Sequence, residues 1–158
     1  MNAFNFVNGN FERLFSQIFR GRGRMVLENA ENPFGGGLTM EVALDNKEIK
    51  YLELMSGGEK ALIALIFLFA LQAYNPSSVY ILDEADSALD QENSRKLALL
   101  LSELTKTTQF LLISHNQTVY KTAKCLVGVT MTKDGSRIVE VRLSQAAPEA
   151  GAATAQGG

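Results

Sequence analysis

Residues 79–90 read VYILDEADSALD, and this stretch decides the class of fold. Its first five residues predict a buried strand that ends in two adjacent carboxylates. A polar segment follows, and the chain then predicts a helix over 91–106 and a second apolar strand over 109–114. A strand, a helix and a strand in this order indicate a parallel sheet covered by helices.

The residues on the N-terminal side predict further helices and an antiparallel sheet. Apolar residues recur at three- and four-residue steps from Phe4 to Phe19, which predicts an amphipathic helix that Gly21 and Gly23 end. A long apolar helix is predicted from Gly57 to about Tyr74. Three short strands are predicted between the two helices: 24–28, 38–44 and 48–52. The Gly- and Pro-rich loop at 32–37 joins the first two.

The residues on the C-terminal side complete the predicted domain. A short helix at 117–123 precedes two strands, 125–131 and 137–143, around a Lys133-Asp134-Gly135 turn. Residues 144–158 are poor in large apolar side chains, which predicts a disordered tail. The expected fold class is α/β: one domain over 1–143, with a largely parallel sheet, flanking helices and an antiparallel hairpin region.

Composition excludes several classes of protein. The chain has 158 residues, 46% of them hydrophobic and 20% charged, with a net charge of -2. This composition is typical of one globular domain and excludes a strongly basic protein that coats DNA. One cysteine excludes an intramolecular disulfide and favours a reducing compartment. The longest apolar run, 61–71, is short for a membrane span, and the N-terminus lacks a secretory signal. We expect a cytoplasmic protein with no membrane partner.

The segment 55–60, MSGGEK, lies where a loop becomes the long apolar helix. Ser56 as N-cap and Glu59 three residues later predict a capping box, which many ordinary helices use. The two glycines between them each cost about 1 kcal/mol in a helix relative to alanine. Without a Cβ, the first-turn N–H groups can approach a phosphate, whose charge the helix dipole favours. The segment is a candidate phosphate site, with a plain cap as the alternative.

Asp83 and Glu84 end the apolar strand, where open α/β sheets bind their ligands. Paired carboxylates at the end of a central strand are expensive without a cation, and Mg²⁺ prefers oxygen ligands. Asp83 would hold Mg²⁺ through water, and Glu84 would orient and deprotonate an attacking water. The alternative is a strand that ends in solvated charges.

His115, the only histidine, follows the next strand and would place a polar donor near the same phosphate. A lone histidine is more often a surface residue, so its position in the sheet carries the functional interpretation. Asp90, at the end of the polar loop, predicts an N-cap for the helix at 91–106.

In order, these motifs resemble the C-terminal half of an ATP-binding-cassette ATPase: signature motif, strand with paired carboxylates, D-loop and switch histidine. Four features are similar to the C-terminal head lobe of the structural maintenance of chromosomes (SMC) family. They are MSGGEKAL at 55–62, DEADSALD at 83–90, VGVTM at 127–131 and the Phe-rich opening helix. The resemblance spans about residues 4–143. Met55 stands where the family pattern usually has leucine.

The resemblance implies ATP hydrolysis with Mg²⁺ and gives each motif a role. It places Asp83 at Mg²⁺, makes Glu84 the catalytic carboxylate and makes His115 the γ-phosphate switch. The resemblance implies contacts to the γ-phosphate of ATP held by a second head for four residues: Ser56, Gly57, Gly58 and Glu59. It places three further residues at the dimer interface: Ser87, Leu89 and Asp90.

The same resemblance implies partners. No Gly-x-x-x-x-Gly-Lys-Ser/Thr phosphate loop occurs in the sequence. In this family an N-terminal head lobe, brought back by an antiparallel coiled coil, supplies the phosphate loop (Walker A) and the Q-loop. The expected function is half of a head that hydrolyses ATP with that lobe and a second SMC head, in chromosome condensation, segregation or cohesion. A kleisin subunit and DNA are further expected partners, and the isolated chain is expected to be inactive and chromosome-associated.

Two other functions stay open. ATP-binding-cassette enzymes of DNA double-strand-break repair share the signature and the paired carboxylates, and a non-catalytic module that binds a kleisin or DNA could retain the fold. Arg20, Arg22 and Arg24, interpreted as a loop cluster, are candidate contacts to DNA phosphates or simply solvated charges. Core positions are predicted for the cysteine and for one stripe of the long helix: Cys125, Ile63, Ile66, Phe67 and Phe69.

Overall fold

The computed structural model describes residues 2–44 and 50–142, except for the side chains of Lys50 and Glu53. This part of the chain contains four α-helices: α1 (Asn2–Ile18), α2 (Gly57–Gln72), α3 (Gln91–Leu104) and α4 (Gln117–Tyr120). It contains seven strands: β1 (Gly21–Leu27), β2 (Leu38–Leu44), β3 (Lys50–Tyr51), β4 (Val79–Asp83), β5 (Gln109–Ile113), β6 (Cys125–Thr132) and β7 (Gly135–Arg142). The predicted elements are present, and α2, α3 and α4 end two or three residues earlier than predicted. Of the third predicted strand, 48–52, the described residues show Lys50–Tyr51 as β3. Residues 48 and 49, and residue 143 of the last predicted strand, lie outside the described residues.

The chain divides into two compact units, 1–121 and 122–158. The first unit holds α1 to α4 and β1 to β5, and the second holds the β6–β7 hairpin. The sequence predicts one domain over 1–143, whereas β6 and β7 pair only with each other in the described residues. A hairpin satisfies its inner backbone groups locally, so it forms without a strand from the first unit. The predicted tail at 144–158 lies outside the described residues.

Helix α1 is amphipathic, as its apolar spacing predicts. Its buried side chains are Val7, Phe11, Leu14 and Phe15. They pack against β1 and α2, and Phe19, just after the helix, stacks on Phe15 with ring centroids 4.8 Å apart. The apolar face of α1 is therefore covered within the first unit and forms one wall of its core.

Strand β1 starts earlier than the sequence predicts. It begins at Gly21 rather than at 24, and it pairs antiparallel with β2 from Gly21↔Leu44 to Leu27↔Leu38. The two glycines therefore lie inside the strand instead of only ending the helix. A Cβ on Gly21 would clash with the carbonyl of Ala43, and one on Gly23 would lie 2.7 Å from the Phe15 ring. Both positions need glycine because neighbouring groups occupy the space that a side chain would fill.

The sheet is not largely parallel, which corrects the expected fold class in its detail. Only β4 and β5 pair in parallel, from Val79↔Gln109 to Asp83↔Ile113, while the other five strands lie in antiparallel sheets. A parallel pair needs a long crossover, and α3 is the one crossover between paired strands in the described residues. The architecture is α/β with one βαβ unit, a three-stranded antiparallel sheet and a separate hairpin.

One face of the β4–β5 pair is covered and the other is bare. On the covered face, Tyr80 and Phe110 lie 5.3 Å apart between ring centroids, and Phe110 lies 5.7 Å from Phe69 of α2. Four apolar residues on the opposite face are 44–66% exposed: Val79, Ile81, Leu111 and Ile113. The prediction of a buried strand is therefore only half correct, because no layer among the described residues of the first unit packs on that side.

The predicted core positions are mostly confirmed. Ile63, Ile66 and Phe69 are buried, and Phe67 is half-buried against them. Cys125 is exposed, which corrects its predicted core position. It starts the β6–β7 hairpin, where its Sγ donates to Glu140 Oε1 at 3.4 Å, and a two-stranded sheet does not bury both of its faces. No helix in the described part of the chain combines the length and apolar character that crossing a membrane requires.

Gly23→Ala should lower the free energy of unfolding by about 1–3 kcal/mol, because the new Cβ would overpack against the fully buried ring of Phe15. Gly9→Ala is the matched control: Gly9 lies on the exposed side of α1 with open space around it. Alanine there should raise the free energy of unfolding by up to about 1 kcal/mol through helix propensity. Urea unfolding followed by circular dichroism measures both, and equal effects would contradict the packing of Gly23.

Candidate functional site

The parallel register brings the predicted carboxylates and histidine to one edge. Asp83 pairs with Ile113 at the ends of β4 and β5, and the Glu84 N–H donates to the Ile113 carbonyl at 2.9 Å. The chain leaves both strands at this point, so Glu84 and His115 follow neighbouring strand ends. Asp83, Glu84 and His115 are all exposed. The edge therefore offers two carboxylates and one imidazole to a ligand from outside.

Glu84 has an unusual backbone conformation. Its φ is 48°, the one positive φ of a non-glycine residue among those described. An L-residue in this left-handed region is strained by roughly 1–2 kcal/mol. The Ser87 N–H donates to the Glu84 carbonyl at 3.0 Å, so the turn after the strand maintains this geometry. Strained residues cluster at functional sites, where the surrounding structure holds them in place. Sequence patterns carry no signal for this conformation.

The start of α2 forms the predicted capping box. The Glu59 N–H donates to Ser56 Oγ at 3.3 Å, and the Ser56 N–H donates to Glu59 Oε2 at 3.0 Å. The first-turn N–H groups of Gly57 and Gly58 have no acceptor within the helix. The Glu59 carboxylate is therefore committed to holding this turn, while the two glycine amides are the donors left for a ligand.

The two glycines of this turn differ in their surroundings. Gly57 has open space around it, so nothing in the described residues requires a glycine there. A Cβ on Gly58 would lie 2.8 Å from Asn93 Nδ2 and 3.6 Å from the Ala88 carbonyl. The start of α2 therefore lies against the loop after Glu84 and against the first turn of α3. Gly58 has a packing reason that sequence analysis missed.

Asn93 is a buried side chain that sequence analysis also missed. It is 4% exposed, and its Oδ1 has no hydrogen-bond partner among the described residues. Its N–H donates to Asp90 Oδ1 at 2.8 Å, which confirms Asp90 as the N-cap of α3. In the same loop Ser87 is exposed, whereas Leu89 is half-buried and packs against the core. Of the three predicted interface positions, Ser87 and Asp90 face outward.

A chain of hydrogen bonds flanks His115. Ser114 Oγ donates to Asp86 Oδ2 at 2.5 Å, and Asn116 Nδ2 donates to Ser94 Oγ at 2.8 Å. Asp86 is 5% exposed and Ser94 is fully buried. The loop at 86–90, the histidine segment at 114–116 and α3 are therefore tied together. Sequence analysis gave Ser114 and Asn116 no role, although their position on both sides of the only histidine was a usable signal.

Two of the three arginines lie in the antiparallel sheet, and the third lies just before it. Arg22 and Arg24 are in strand β1 rather than in a loop, so the predicted loop cluster is corrected: with Arg20 they follow the two-residue spacing of one strand face. All three are exposed. Arg24 Nη2 contacts Glu41 Oε2 at 2.7 Å across the β1–β2 pair, so a neighbouring strand compensates its charge. Arg20 and Arg22 have no such acidic partner in the described residues.

The side chains at this edge can contribute to a magnesium site but do not form a complete one. The described residues contain no group of three or more His, Cys, Asp or Glu side chains able to hold a metal. Asp83 supplies one exposed carboxylate, and Mg²⁺ commonly takes one or two carboxylates and fills its octahedron with water and substrate phosphates. Asp83 therefore fits a magnesium ion that arrives with a nucleotide.

Comparison with known proteins identifies the class. The family model described as the RecF/RecN/SMC N terminal domain matches residues 37–137. The Chromosome partition protein Smc of Methanococcus voltae is 42% identical over 143 residues, which are 90% of this chain and 12% of that protein. The similarity covers one segment of each relative, and the chain spans about an eighth of the length of the curated relatives it matches.

Solved structures agree with the sequence comparison. One, described by ATP-driven dimerization and DNA-stimulated activation of SMC ATPases, has a TM-score of 0.80 and 37% identity over 89% of this chain and 86% of that one. The Smc head domain of Pyrococcus furiosus, solved with an extended coiled coil and bound to the C-terminal domain of ScpA, has a TM-score of 0.77 and 38% identity over 90% of this chain and 36% of that one. The α/β fold of this chain matches SMC ATPase head structures. The chain belongs to the SMC family.

Glu84→Gly should unfold with a higher free energy than Glu84→Ala, by about 1 kcal/mol, because alanine keeps the Cβ that strains the positive φ. Asp83 provides the matched control, since it lies in strand β4. There the order should reverse, with Asp83→Ala more stable than Asp83→Gly by about 0.5–1 kcal/mol. Urea unfolding measures all four variants. The same order at both positions would show that Glu84 is not strained.

Proposed function

We propose that this chain is the C-terminal lobe of an SMC ATPase head and that it hydrolyses ATP only together with an N-terminal lobe and a second head. One observation carries the proposal. Glu84 and His115 follow neighbouring strand ends, and the start of α2 lies against the loop that leaves Glu84, so the three polar motifs adjoin one another. This edge offers catalytic groups and backbone donors, but the chain has no phosphate-loop sequence to hold a nucleotide by itself.

The assignment to the C-terminal lobe rests on motifs. The matching family model is described as an N-terminal domain. The phosphate loop that the N-terminal lobe supplies in this family does not occur in these 158 residues, whereas the signature sequence at 55–60 and the paired carboxylates do. This motif content favours the C-terminal lobe, and association with the complementary lobe tests it.

The bare face of β4–β5 supports a complementary lobe. Val79, Ile81, Leu111 and Ile113 form an exposed apolar patch beside the site, and such patches mark interaction surfaces. Parallel strands are normally buried on both faces, and a two-stranded parallel pair also leaves two open edges. We assign this face to the N-terminal lobe, which would extend the sheet and bring the phosphate loop to the carboxylates.

The residues of the edge divide the reaction between them. Glu84 would orient the attacking water and accept its proton, and His115 would donate a hydrogen bond to the γ-phosphate. Asp83 would hold Mg²⁺ through water, and the ion would neutralise charge on the phosphates. No buried partner restrains the Glu84 carboxylate, which is exposed, so the left-handed backbone at this residue sets where the side chain can reach.

The start of α2 would act on the nucleotide of a second head. Ser56 and Gly57 are exposed, and the amides of Gly57 and Gly58 point from a helix N-terminus that favours anions. Glu59 would hold this turn through its bond to the Ser56 N–H rather than contact the phosphate. Ser87 and Asp90 lie in the adjoining loop and would line the same interface between heads.

The wider role follows from the relatives. They are named chromosome partition proteins, and one related head is bound to the C-terminal domain of ScpA. We propose that this chain serves chromosome segregation, acts on the chromosome in the cytoplasm, and works with a kleisin subunit. Arg22, exposed in β1, and Arg20, exposed just before that strand, are the candidates for contact with DNA phosphates. The ion pair of Arg24 with Glu41 weakens Arg24 in that role.

Glu84→Gln in a head completed with the N-terminal lobe should lower ATP turnover by about 10² to 10⁴-fold, because the amide cannot accept the proton of the water. ATP-bound head dimers should accumulate. Phosphate release and light scattering measure the two effects. Glu103→Gln is the control, since Glu103 is an exposed glutamate at the far end of α3. Normal turnover in Glu84→Gln would refute the catalytic assignment.

Ile81→Asp should weaken association with the N-terminal lobe by at least about tenfold, because it places a charge at the centre of the apolar face. The chain itself should fold normally, since Ile81 is 66% exposed. Leu99→Asp is the matched control, at a 62% exposed leucine on α3 away from this face. Isothermal titration calorimetry with the separate lobe measures affinity. Equal binding by both variants would place the lobe elsewhere.

A further inference from the structure

His115 lies between two side chains that are each anchored to a buried group. On one side, Ser114 Oγ donates to Asp86 Oδ2 at 2.5 Å, and Asp86 is 5% exposed. On the other side, Asn116 Nδ2 donates to Ser94 Oγ at 2.8 Å, and Ser94 is fully buried in α3. A distance of 2.5 Å between a hydroxyl and a carboxylate oxygen is that of a strong, charge-assisted hydrogen bond.

Further bonds make this segment a closed turn. The Asn116 N–H donates to Ser114 Oγ at 3.0 Å, so the serine hydroxyl donates on one side and accepts on the other. Asn116 Oδ1 accepts from the Thr118 N–H at 3.0 Å and caps α4. The imidazole of His115 is exposed and has no hydrogen bond to the described residues. Its backbone is therefore what determines where the ring can reach.

Asp86 also belongs to the loop that leaves the carboxylate strand. The Leu89 N–H donates to the Asp86 carbonyl at 3.1 Å, and the Ser87 N–H donates to the Glu84 carbonyl at 3.0 Å. The same loop carries Ser87 and Asp90, which the proposed function places between heads. The hydrogen bond from Ser114 Oγ to Asp86 Oδ2, which is part-buried, therefore joins this loop to the histidine segment.

We propose that Asp86 and Ser114 are positioning residues for His115, and that their hydrogen bond couples the head interface to the histidine. The second part rests on the proposed function. In an engaged pair of heads, contact at the loop would fix the position of Asp86, and Asp86 would fix the position of the Ser114 hydroxyl. The turn at 114–116 would then direct the imidazole toward the γ-phosphate. Neither positioning residue touches the nucleotide.

The first test uses this chain alone and needs no ATPase activity. His115 is the only histidine, so its ring signals in an NMR spectrum are unambiguous. Ser114→Ala should shift these signals and increase their motional averaging, and Ser114→Thr, which keeps the hydroxyl, should restore them. Ser102→Ala, at an exposed serine on α3, is the control and should leave them unchanged. Unshifted ring signals in Ser114→Ala would overturn the positioning role.

The second test uses the completed head. Ser114→Ala should lower kcat about tenfold with little change in the KM for ATP. In a His115→Ala background the same substitution should have no further effect, because the residue through which it acts is gone. Equal losses in both backgrounds would overturn the proposal and leave a general structural role. If the completed head shows no ATP turnover but the ring signals still respond to Ser114→Ala, the proposed function fails while the positioning role stands.

Discussion

The site depends on the parallel pairing of β4 with β5. Because Asp83 pairs with Ile113 and the Glu84 N–H continues the pairing by one bond, the two strands end together and the chain turns away from both at one edge. A shift of the register by one residue would turn the side chains of one strand to the opposite face relative to the other and offset the carboxylates from the histidine segment. The aromatic contacts of Tyr80 and Phe110 with Phe69 hold this register from the covered face.

The same pair also leaves one of its faces open. Its covered face is packed by α2, but the opposite face leaves four apolar side chains 44–66% exposed. If this face receives the N-terminal lobe, as we propose, that association would cover the four side chains and bring a phosphate loop beside Asp83 and Glu84.

Contacts around the edge hold in place the segments that carry Asp83, Glu84 and His115. Because Gly58 has no side chain, the start of α2 can lie close to Asn93 of α3. Asp86, Ser114, Asn116 and Ser94 tie the loop after Glu84 to the histidine segment. Buried hydrogen-bonded groups of this kind hold one arrangement firmly, since each unpaired partner would be costly. The exposed side chains of Asp83, Glu84 and His115 therefore extend from segments that are held firmly.

The sequence by itself determined the elements and the motifs. Periodic apolar residues predicted α1, the capping box at Ser56 and Glu59 was correct in its hydrogen bonds, and Asp90 was correct as an N-cap. These features depend on neighbours within a few residues, where local spacing fixes the geometry. The tertiary structure alone decided the left-handed backbone of Glu84, the packing of Gly58 on Asn93, the inclusion of Gly21 in a strand, the exposure of Cys125 and the bare face of Ile81. Each of these depends on groups distant in sequence, or on a layer that does not pack there, and no local pattern records such contacts.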